Sequence, residues 1–133
     1  MNASLLITSL VCLQATSALS ANYVCESEFV AGFWFDGDWI VNQGIYNLDK
    51  FLVSENDGVV TISAFGSKSA PPFFGPLACK SEPTAITCDT SYGQFRLSKF
   101  TKRYLESYVV GYWDGADNVN NSPYVKIGSC AEM

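Results

Sequence analysis

The stretch that decides the fold is residues 29–41, FVAGFWFDGDWIV, where aromatic and β-branched residues lie on both sides of the pair Asp36-Gly37. Such residues favour β-strands, and an Asp-Gly pair between two strands is a strong signal for a two-residue hairpin turn. Turns of type I′ need positive φ at both central residues, which Asp and Gly supply readily. The stretch therefore predicts an antiparallel hairpin that turns at Asp36-Gly37.

Strand-forming runs and turn residues alternate along the rest of the chain. The further runs are 48–54, 59–65, 85–88, 94–98, 104–113 and 124–128. Residues 55–58 (ENDG) join the first two runs, and residues 66–78, rich in Gly, Ser and Pro, predict a long surface loop. About seven to nine short strands at this spacing predict an all-β domain, either a small antiparallel β-barrel or a β-sandwich.

The run 104–113 has two interpretations. Tyr104, Tyr108 and Tyr112 recur every four residues, which would place them on one face of a helix. Tyr, Val and Trp nevertheless favour strands, and Gly111 would weaken the interior of a helix. We therefore favour a strand here, preceded by a turn at residues 100–103.

Four of the five cysteines, Cys25, Cys79, Cys88 and Cys130, follow residue 20. An even number of cysteines in a short exported chain is typical of a disulfide framework. Three connectivities are possible in principle. We expect Cys79–Cys88 to join neighbouring strands and Cys25–Cys130 to join the first strand to the last.

Residues 1–20 have the features of a secretory signal peptide. They carry no charged side chain, contain the apolar run 5–13, and end in Ala18-Leu19-Ser20, which fits a small-x-small cleavage signal. The apolar run is shorter than the roughly 20 residues that span a membrane. We expect a signal peptide over 1–20, a single disulfide-linked β domain over 21–133, and an exported, periplasmic or secreted product without a membrane span.

The composition excludes several classes of function. A formal net charge of −5 argues against nucleic acid as a partner, because phosphate binding needs clustered Lys and Arg. The chain has no histidine, which excludes Ser-His-Asp and Cys-His sites and ordinary zinc hydrolysis. It also has no Gly-rich phosphate loop. We expect no cofactor and no enzymatic activity.

An Asp- and Asn-rich segment is a weak candidate for a calcium site. Its side-chain oxygens come from Asp114, Asp117, Asn118 and Asn120, and calcium takes six to eight oxygen ligands. The spacing does not match an EF-hand loop. A polar connection between two strands explains the composition without a metal, and we favour that interpretation.

Aromatic residues are the candidates for binding. Most aromatic side chains of a small β domain belong to the core or to cross-strand pairs, whereas an exposed row would favour sugar or partner binding. The candidates are Trp34, Trp39, Trp113 and Tyr112. The sequence does not decide which face of the sheet they use, and it leaves the oligomeric state open.

The C-terminal half contains several short motifs that match a known pattern. Residues 103–118 follow the pattern R-[FY]-L-x2-Y-x2-GY with an acidic, Asn-rich GY-x-DG-x-DN turn, and residues 121–130 follow N-[ST]-P-x3-IG-x-C. Residues 23–25, 32–33 and 95–97 add similar landmarks. Together these motifs resemble a family of short exported bacterial proteins of uncharacterised activity. Lys126 departs from the family pattern, since an acidic residue is expected there. The resemblance implies a bacterial, periplasmic or secreted setting and no catalytic residues.

A second resemblance rests on fewer residues. Tyr23-Val24-Cys25, with a late partner cysteine, is similar to the Y-x-C arrangement of ribonuclease-like secreted effectors of mildew fungi. The helix expected after that motif is replaced here by a predicted hairpin. This resemblance would imply a fungal source.

The leading functional hypothesis is an exported, non-catalytic β domain that binds a protein or glycan partner. One concrete version is an inhibitor of cell-wall hydrolases, since several such inhibitors are small disulfide-linked β-barrels. A carbohydrate-active enzyme is an alternative, and it requires two carboxylates that face one cleft, for example Glu106 with Asp114 or Asp117. A structural protein of the cell envelope is a third possibility.

The two predicted disulfides should differ in their contribution to stability. Replacing Cys130 with Ser should lower the free energy of unfolding more than replacing Cys88, by about 2 kcal/mol, because the longer loop restricts the unfolded chain more. Chemical denaturation of both variants measures the difference. Variants with both cysteines of a bridge replaced control for the free thiol, and equal losses would contradict the loop-length argument.

Overall fold

The computed structural model describes residues 20–35, 41–43, 48–66, 78–111 and 122–133. These residues form nine β-strands and no helix. The strands are β1 (Ala21–Phe35), β2 (Val41–Gln43), β3 (Lys50–Asn56), β4 (Val59–Ala64), β5 (Ala78–Ser81), β6 (Ala85–Thr90), β7 (Gly93–Ser98), β8 (Arg103–Tyr108) and β9 (Tyr124–Glu132). The predicted all-β class is confirmed.

The strands form one antiparallel sheet that curls into a nearly closed barrel. Eight strands follow the order β4-β3-β1-β9-β8-β7-β6-β5, and β2 pairs with β1 beside this path. The strands β5 to β9 form a meander, in which each pairs with the next along the chain. The first strand then pairs with the last, with Tyr23 opposite Glu132 and Gly32 opposite Tyr124. Of the two predicted architectures, the chain adopts the barrel.

The Asp-Gly turn occurs in the second predicted hairpin rather than the first. Asp57 and Gly58 have φ angles of 51° and 79°, and Asn56 pairs with Val59, as a type I′ turn requires. The predicted hairpin over 29–41 does form, but Phe35 pairs with Val41. The two-residue turn predicted at Asp36-Gly37 is therefore wrong, since this register leaves residues 36–40 as the connection, outside the described part of the chain.

The ambiguous run 104–113 begins as a strand. The strand β8 pairs with β7 and β9 along its length and ends at Tyr108. The turn before it was correctly predicted, because residues 99–101 turn and Lys102 has a φ of 58°. Residues 109–111 have no strand pairing, so the strand is shorter than predicted, and residues 112–113 lie outside the described part.

Both predicted disulfides are confirmed and lie inside the barrel. Cys25 on β1 is opposite Cys130 on β9, and Cys79 on β5 is opposite Cys88 on β6. The bridges pack among the buried side chains of the core. These side chains are Tyr23, Phe51, Val53, Ile86, Phe95, Leu97 and Tyr104. Where the structure describes the interior, side chains fill it, as is usual for barrels of about eight strands.

Gly128 should be intolerant of any side chain. A Cβ atom there would lie 2.1 Å from the backbone oxygen of Glu26 and 2.6 Å from the ring of Tyr104. Gly128→Ala should therefore lower the free energy of unfolding by about 3 kcal/mol, measured by chemical denaturation. Gly58→Ala is the control, because its Cβ meets nothing within 4 Å and only its positive φ costs about 1 kcal/mol. Equal losses at the two positions would contradict the crowding at Gly128.

Candidate functional site

The middle of strands β8 and β9 reverses the usual polarity of a barrel. Glu106 and Lys126 point inward and are only 1% and 5% exposed. Their neighbours Leu105, Val125 and Ile127 point outward and are 42–47% exposed. Sheets with one wet face normally place apolar residues inside and polar residues outside. This part of the sheet therefore has an apolar outer surface and a charged inner one.

The outward residues of β8 and β9 continue onto β1. Ile127 pairs with Leu105 on one side and with Phe29 on the other, so these three residues form one row across three strands. Phe29 and Phe33 on β1 are 61% and 55% exposed. We call the five residues Phe29, Phe33, Leu105, Val125 and Ile127 the apolar strip. Large contiguous apolar surfaces on soluble proteins usually mark an interaction site.

A β-bulge brings the phenylalanines of β1 to the outer surface. Ser27 pairs with Gly128 and Phe29 pairs with Ile127, so Glu28 is an extra residue that the backbone pairing of β1 with β9 skips. An extra residue reverses which side chains of the strand point inward. Ser27 is buried and Phe29 is exposed, although they are two residues apart. Without the bulge, Phe29 would point into the barrel.

Charged side chains of opposite sign flank the apolar strip. Ser129 on β9 pairs with Glu26 on β1 and with Arg103 on β8, so an acid and a base lie on opposite sides of the central strand. Glu28 accepts a hydrogen bond from Ser129. A shallow depression of about 610 Å³ between Glu28 and Arg103 extends to Arg96. The strip therefore has a negative edge on β1 and a positive edge on β8.

A buried polar cluster lies directly beneath the strip. The Nζ atom of Lys126 is 2.5 Å from Oδ2 of Asp49 and 3.6 Å from Oε1 of Glu106. The hydroxyl of Tyr124 donates a hydrogen bond of 2.6 Å to Oε1 of Glu106. The same ammonium lies 5.1 Å from the centre of the Tyr124 ring. The buried ammonium of Lys126 thus contacts two carboxylates, those of Asp49 and Glu106.

Ser27 connects this cluster to the neighbouring strands. Its hydroxyl accepts hydrogen bonds from Tyr104 Oη at 2.9 Å and from the backbone N–H of Asp49 at 3.1 Å. The backbone N–H of Ser27 donates to the carbonyl of Asp49 at 2.9 Å. The buried polar cluster is therefore Ser27, Asp49, Tyr104, Glu106, Tyr124 and Lys126. It ties β1, β8 and β9 to the residue that precedes β3.

Burial raises the pKa values of three members of the cluster, Glu106, Tyr104 and Tyr124. It raises the pKa of the Glu106 carboxyl above its ordinary value, although Lys126 and Tyr124 oppose the change. Burial likewise raises the pKa of Tyr104 to about 12 and, together with the Glu106 charge, raises the pKa of Tyr124. The Oε2 atom of Glu106 is buried and has no hydrogen-bond partner among the described residues. Glu106 is thus a carboxyl that takes up a proton more readily than usual.

A second polar group lies at the opposite end of the barrel, in a cleft of about 740 Å³. Lys99 is 2.7 Å from both the Glu55 carboxylate and the Ser81 hydroxyl, and Ser81 donates a hydrogen bond to Glu55. Burial raises the pKa of Glu55, but hydrogen bonds from Lys99 and Ser81 leave it below its ordinary value. The group joins β3 to β5 where the barrel is open between β4 and β5.

Most of the residues that the sequence singled out are not among those that the structure describes. Trp34 is on β1 opposite Asn42, and its side chain is not described. The other aromatic candidates and the calcium candidates lie outside the described residues. They are Trp39, Tyr112, Trp113, Asp114, Asp117, Asn118 and Asn120. Among the residues that are described, no group of three or more His, Cys, Asp and Glu side chains could hold a metal ion.

The enzyme hypothesis named one residue that the structure does place. Glu106 contacts Lys126 and Tyr124 in the buried polar cluster, while Asp114 and Asp117 lie outside the described residues. The apolar strip itself was not predicted. Val125 and Ile127 belong to a predicted strand, but the sequence carries no sign of the bulge at Glu28 that aligns Phe29 with them.

Comparison with known proteins gives no further identification. No protein-family model matches the chain, and neither a curated protein nor a solved structure matches it. The described residues include no helix long and apolar enough to cross a membrane. The functional interpretation therefore rests on the geometry of the strip and the cluster.

The buried polar cluster should make stability depend on pH through Glu106. Because burial raises the pKa of Glu106 in the folded protein, folding takes up a proton, and stability falls as the pH rises from the ordinary pKa of a glutamic acid, about 4, to the raised pKa of the folded state. Glu106→Gln removes this dependence, so the stability of the variant relative to the wild type should rise over that interval. Urea denaturation at a series of pH values measures it.

The exposed Glu82 provides a matched control. Glu82→Gln changes the same chemical group without changing the cluster. The dependence of its stability on pH should therefore follow that of the wild type more closely than Glu106→Gln does. Parallel pH profiles for wild type and Glu106→Gln would contradict the raised pKa of Glu106.

Proposed function

We propose that this protein is an exported, non-catalytic binding domain that recognises a protein partner through the apolar strip. The observation that carries the proposal is the reversed polarity of β8 and β9, where Leu105, Val125 and Ile127 face outward above the buried Glu106 and Lys126. Apolar side chains exposed in one contiguous group favour association, because covering them removes apolar surface from water.

The filled interior supports recognition at the outer surface. Phe51 lies 5.9 Å from Phe95 and 5.1 Å from Tyr104, measured between ring centres, in the middle of the barrel. Both disulfides pass through the same region. A small molecule bound inside the barrel would have to displace these side chains. A partner is more readily accommodated on the outside.

The chemistry of the strip favours a protein over a glycan. Three of its five members, Leu105, Val125 and Ile127, are aliphatic and lie side by side on β8 and β9. Sugar rings are usually bound by aromatic faces together with polar groups, whereas aliphatic surfaces pair with apolar side chains of another protein. The flanking Glu26 and Arg103 would give such a protein interface its polar rim.

The disulfides support an oxidising compartment. Cys25–Cys130 and Cys79–Cys88 are compatible with export, since disulfides persist outside the cytosol. The signal peptide predicted over residues 1–20 would direct the chain to export. The setting would then be the periplasm or the outside of the cell.

Inhibition of a cell-wall hydrolase is a concrete version of this function. The net charge of −5 would favour association with basic enzymes such as lysozymes. The carboxylate-enzyme alternative has less support, because Glu106 is enclosed by Lys126 and Tyr124 and is 1% exposed.

A substitution in the strip should abolish partner binding without unfolding the barrel. The immobilised wild-type protein should retain a defined protein from an envelope extract, and Leu105→Asp should retain at least tenfold less. Val59→Asp is the matched control, because Val59 is exposed on β4, away from the strip. Equal retention by both variants, with unchanged thermal unfolding, would contradict binding through the strip.

The inhibitor version has its own assay. Lysozymes of the c and g types should be slowed by the wild-type protein at roughly micromolar concentration, and Leu105→Asp should be a weaker inhibitor than Val59→Asp. If neither lysozyme is slowed, the inhibitor version fails while the broader binding proposal still depends on the retention experiment.

A further inference from the structure

We propose that the partner covering the apolar strip is a second copy of this chain. The two copies pack face to face about a two-fold axis that is parallel to β9 and lies midway between them. This inference rests on the proposed use of the strip and names its occupant. It follows from the arrangement of residues on the two sides of β9, which the paired strands β1 and β8 supply.

Three rows of residues cross the outer face with β9 at their centre. The first row is Glu26–Ser129–Arg103, the second Phe29–Ile127–Leu105, and the third Ala31–Val125–Ser107. Rotation about a two-fold axis parallel to β9, midway between the copies, turns the second copy over. Its β8 then lies above β1 of the first copy, and its β1 lies above β8. Each residue of a row on β1 then faces the residue of the same row on β8 of the other copy.

The facing residues match in size and apolar character. Phe29 faces Leu105 of the partner subunit, and Ile127 lies over its own counterpart at the axis. In the third row, Ala31 faces Ser107 of the partner subunit, and Val125 again meets its counterpart. Large residues thus meet in the second row and small ones flank the third, as close packing of two sheets about 10 Å apart requires.

The charges match under the same operation. Glu26 of one copy faces Arg103 of the partner subunit, and the pair occurs twice because the interface is isologous. Arg103 makes no ion pair with any described residue. Glu26 pairs with Lys50 at 3.2 Å, but their side chains are 65% and 45% exposed, so Glu26 can still reach a second cation. An acid and a base on opposite flanks make the face complementary to itself.

The available surface suits a modest dimer. Stable interfaces bury about 800 Å² on each partner. The strip spans three strands, roughly 10 Å between the outer two, and extends along β1 as far as Phe33. Its five side chains with their charged rim are the surface that the second copy would cover. We expect dissociation in the roughly micromolar range.

Sedimentation equilibrium of the exported protein tests the inference. The wild type should sediment with the mass of two chains at roughly 100 μM, and Ile127→Asp should sediment as a single chain because it places two carboxylates at the axis. Val59→Asp, on the exposed surface of β4, should remain a dimer. A monomeric wild type would overturn the inference, as would a dimer that Ile127→Asp leaves intact. Circular dichroism verifies that each variant is folded.

Charge reversal tests the symmetry of the interface. Glu26→Arg and Arg103→Glu should each weaken the dimer at least tenfold, because each places like charges across the interface twice. The double variant should regain affinity, since it restores both pairs with their signs exchanged. Failure of the double variant to bind more tightly than either single variant would overturn the proposed packing.

The outcomes separate this inference from the function it rests on. A monomeric wild type whose retention of another protein still depends on Leu105 refutes the dimer and leaves the binding function intact. A monomeric wild type with no Leu105-dependent retention refutes both. A dimer that Ile127→Asp dissociates supports the inference even if no other protein is retained.

Discussion

The structure depends on the pairing of its first strand with its last. The strands β5 to β9 would alone form an open meander, and the pairing of β1 with β9 joins β3 and β4 to it. Cys25–Cys130 fixes this pairing covalently in the interior of the barrel. Because β1 carries the bulge at Glu28, the same pairing also determines which of its residues reach the outer surface. The fold and the candidate site thus share one constraint.

Beneath that pairing, the buried polar cluster holds the strands of the strip in place. Ser27 and Lys126 each contact Asp49, which precedes β3, and Tyr104 contacts Ser27 from β8. Desolvating charged groups is costly, and a buried ion pair is weak evidence for stability by itself. What the cluster supplies is a fixed position for three strands that carry the apolar strip on their other face.

The sequence predicted the fold much better than the site. Strand-forming runs, turn residues and the cysteine count led to an all-β barrel or sandwich and to both disulfides, because these signals are local or follow from pairing the ends of the chain. The choice between barrel and sandwich depends on which distant strands pair, and the structure decides it. The type I′ turn was assigned to Asp36-Gly37 but occurs at Asp57-Gly58, since the same dipeptide fits both hairpins and the register decides. The bulge at Glu28 escaped prediction, because an extra residue in one strand is visible only once its partner is known.

The strip is built from three separate segments of the chain, and this is the strongest argument that it has a use. On β8 and β9 the alternation of residues places Leu105 and Ile127 outward and Glu106 and Lys126 inward. On β1 the alternation would have turned Phe29 inward, and the bulge reverses it. A single misplaced apolar residue needs no explanation, since monomeric proteins expose many of them. Three strands reach the same outer face by two different structural features, above the buried polar cluster, and together they form the surface on which the proposed partner would pack.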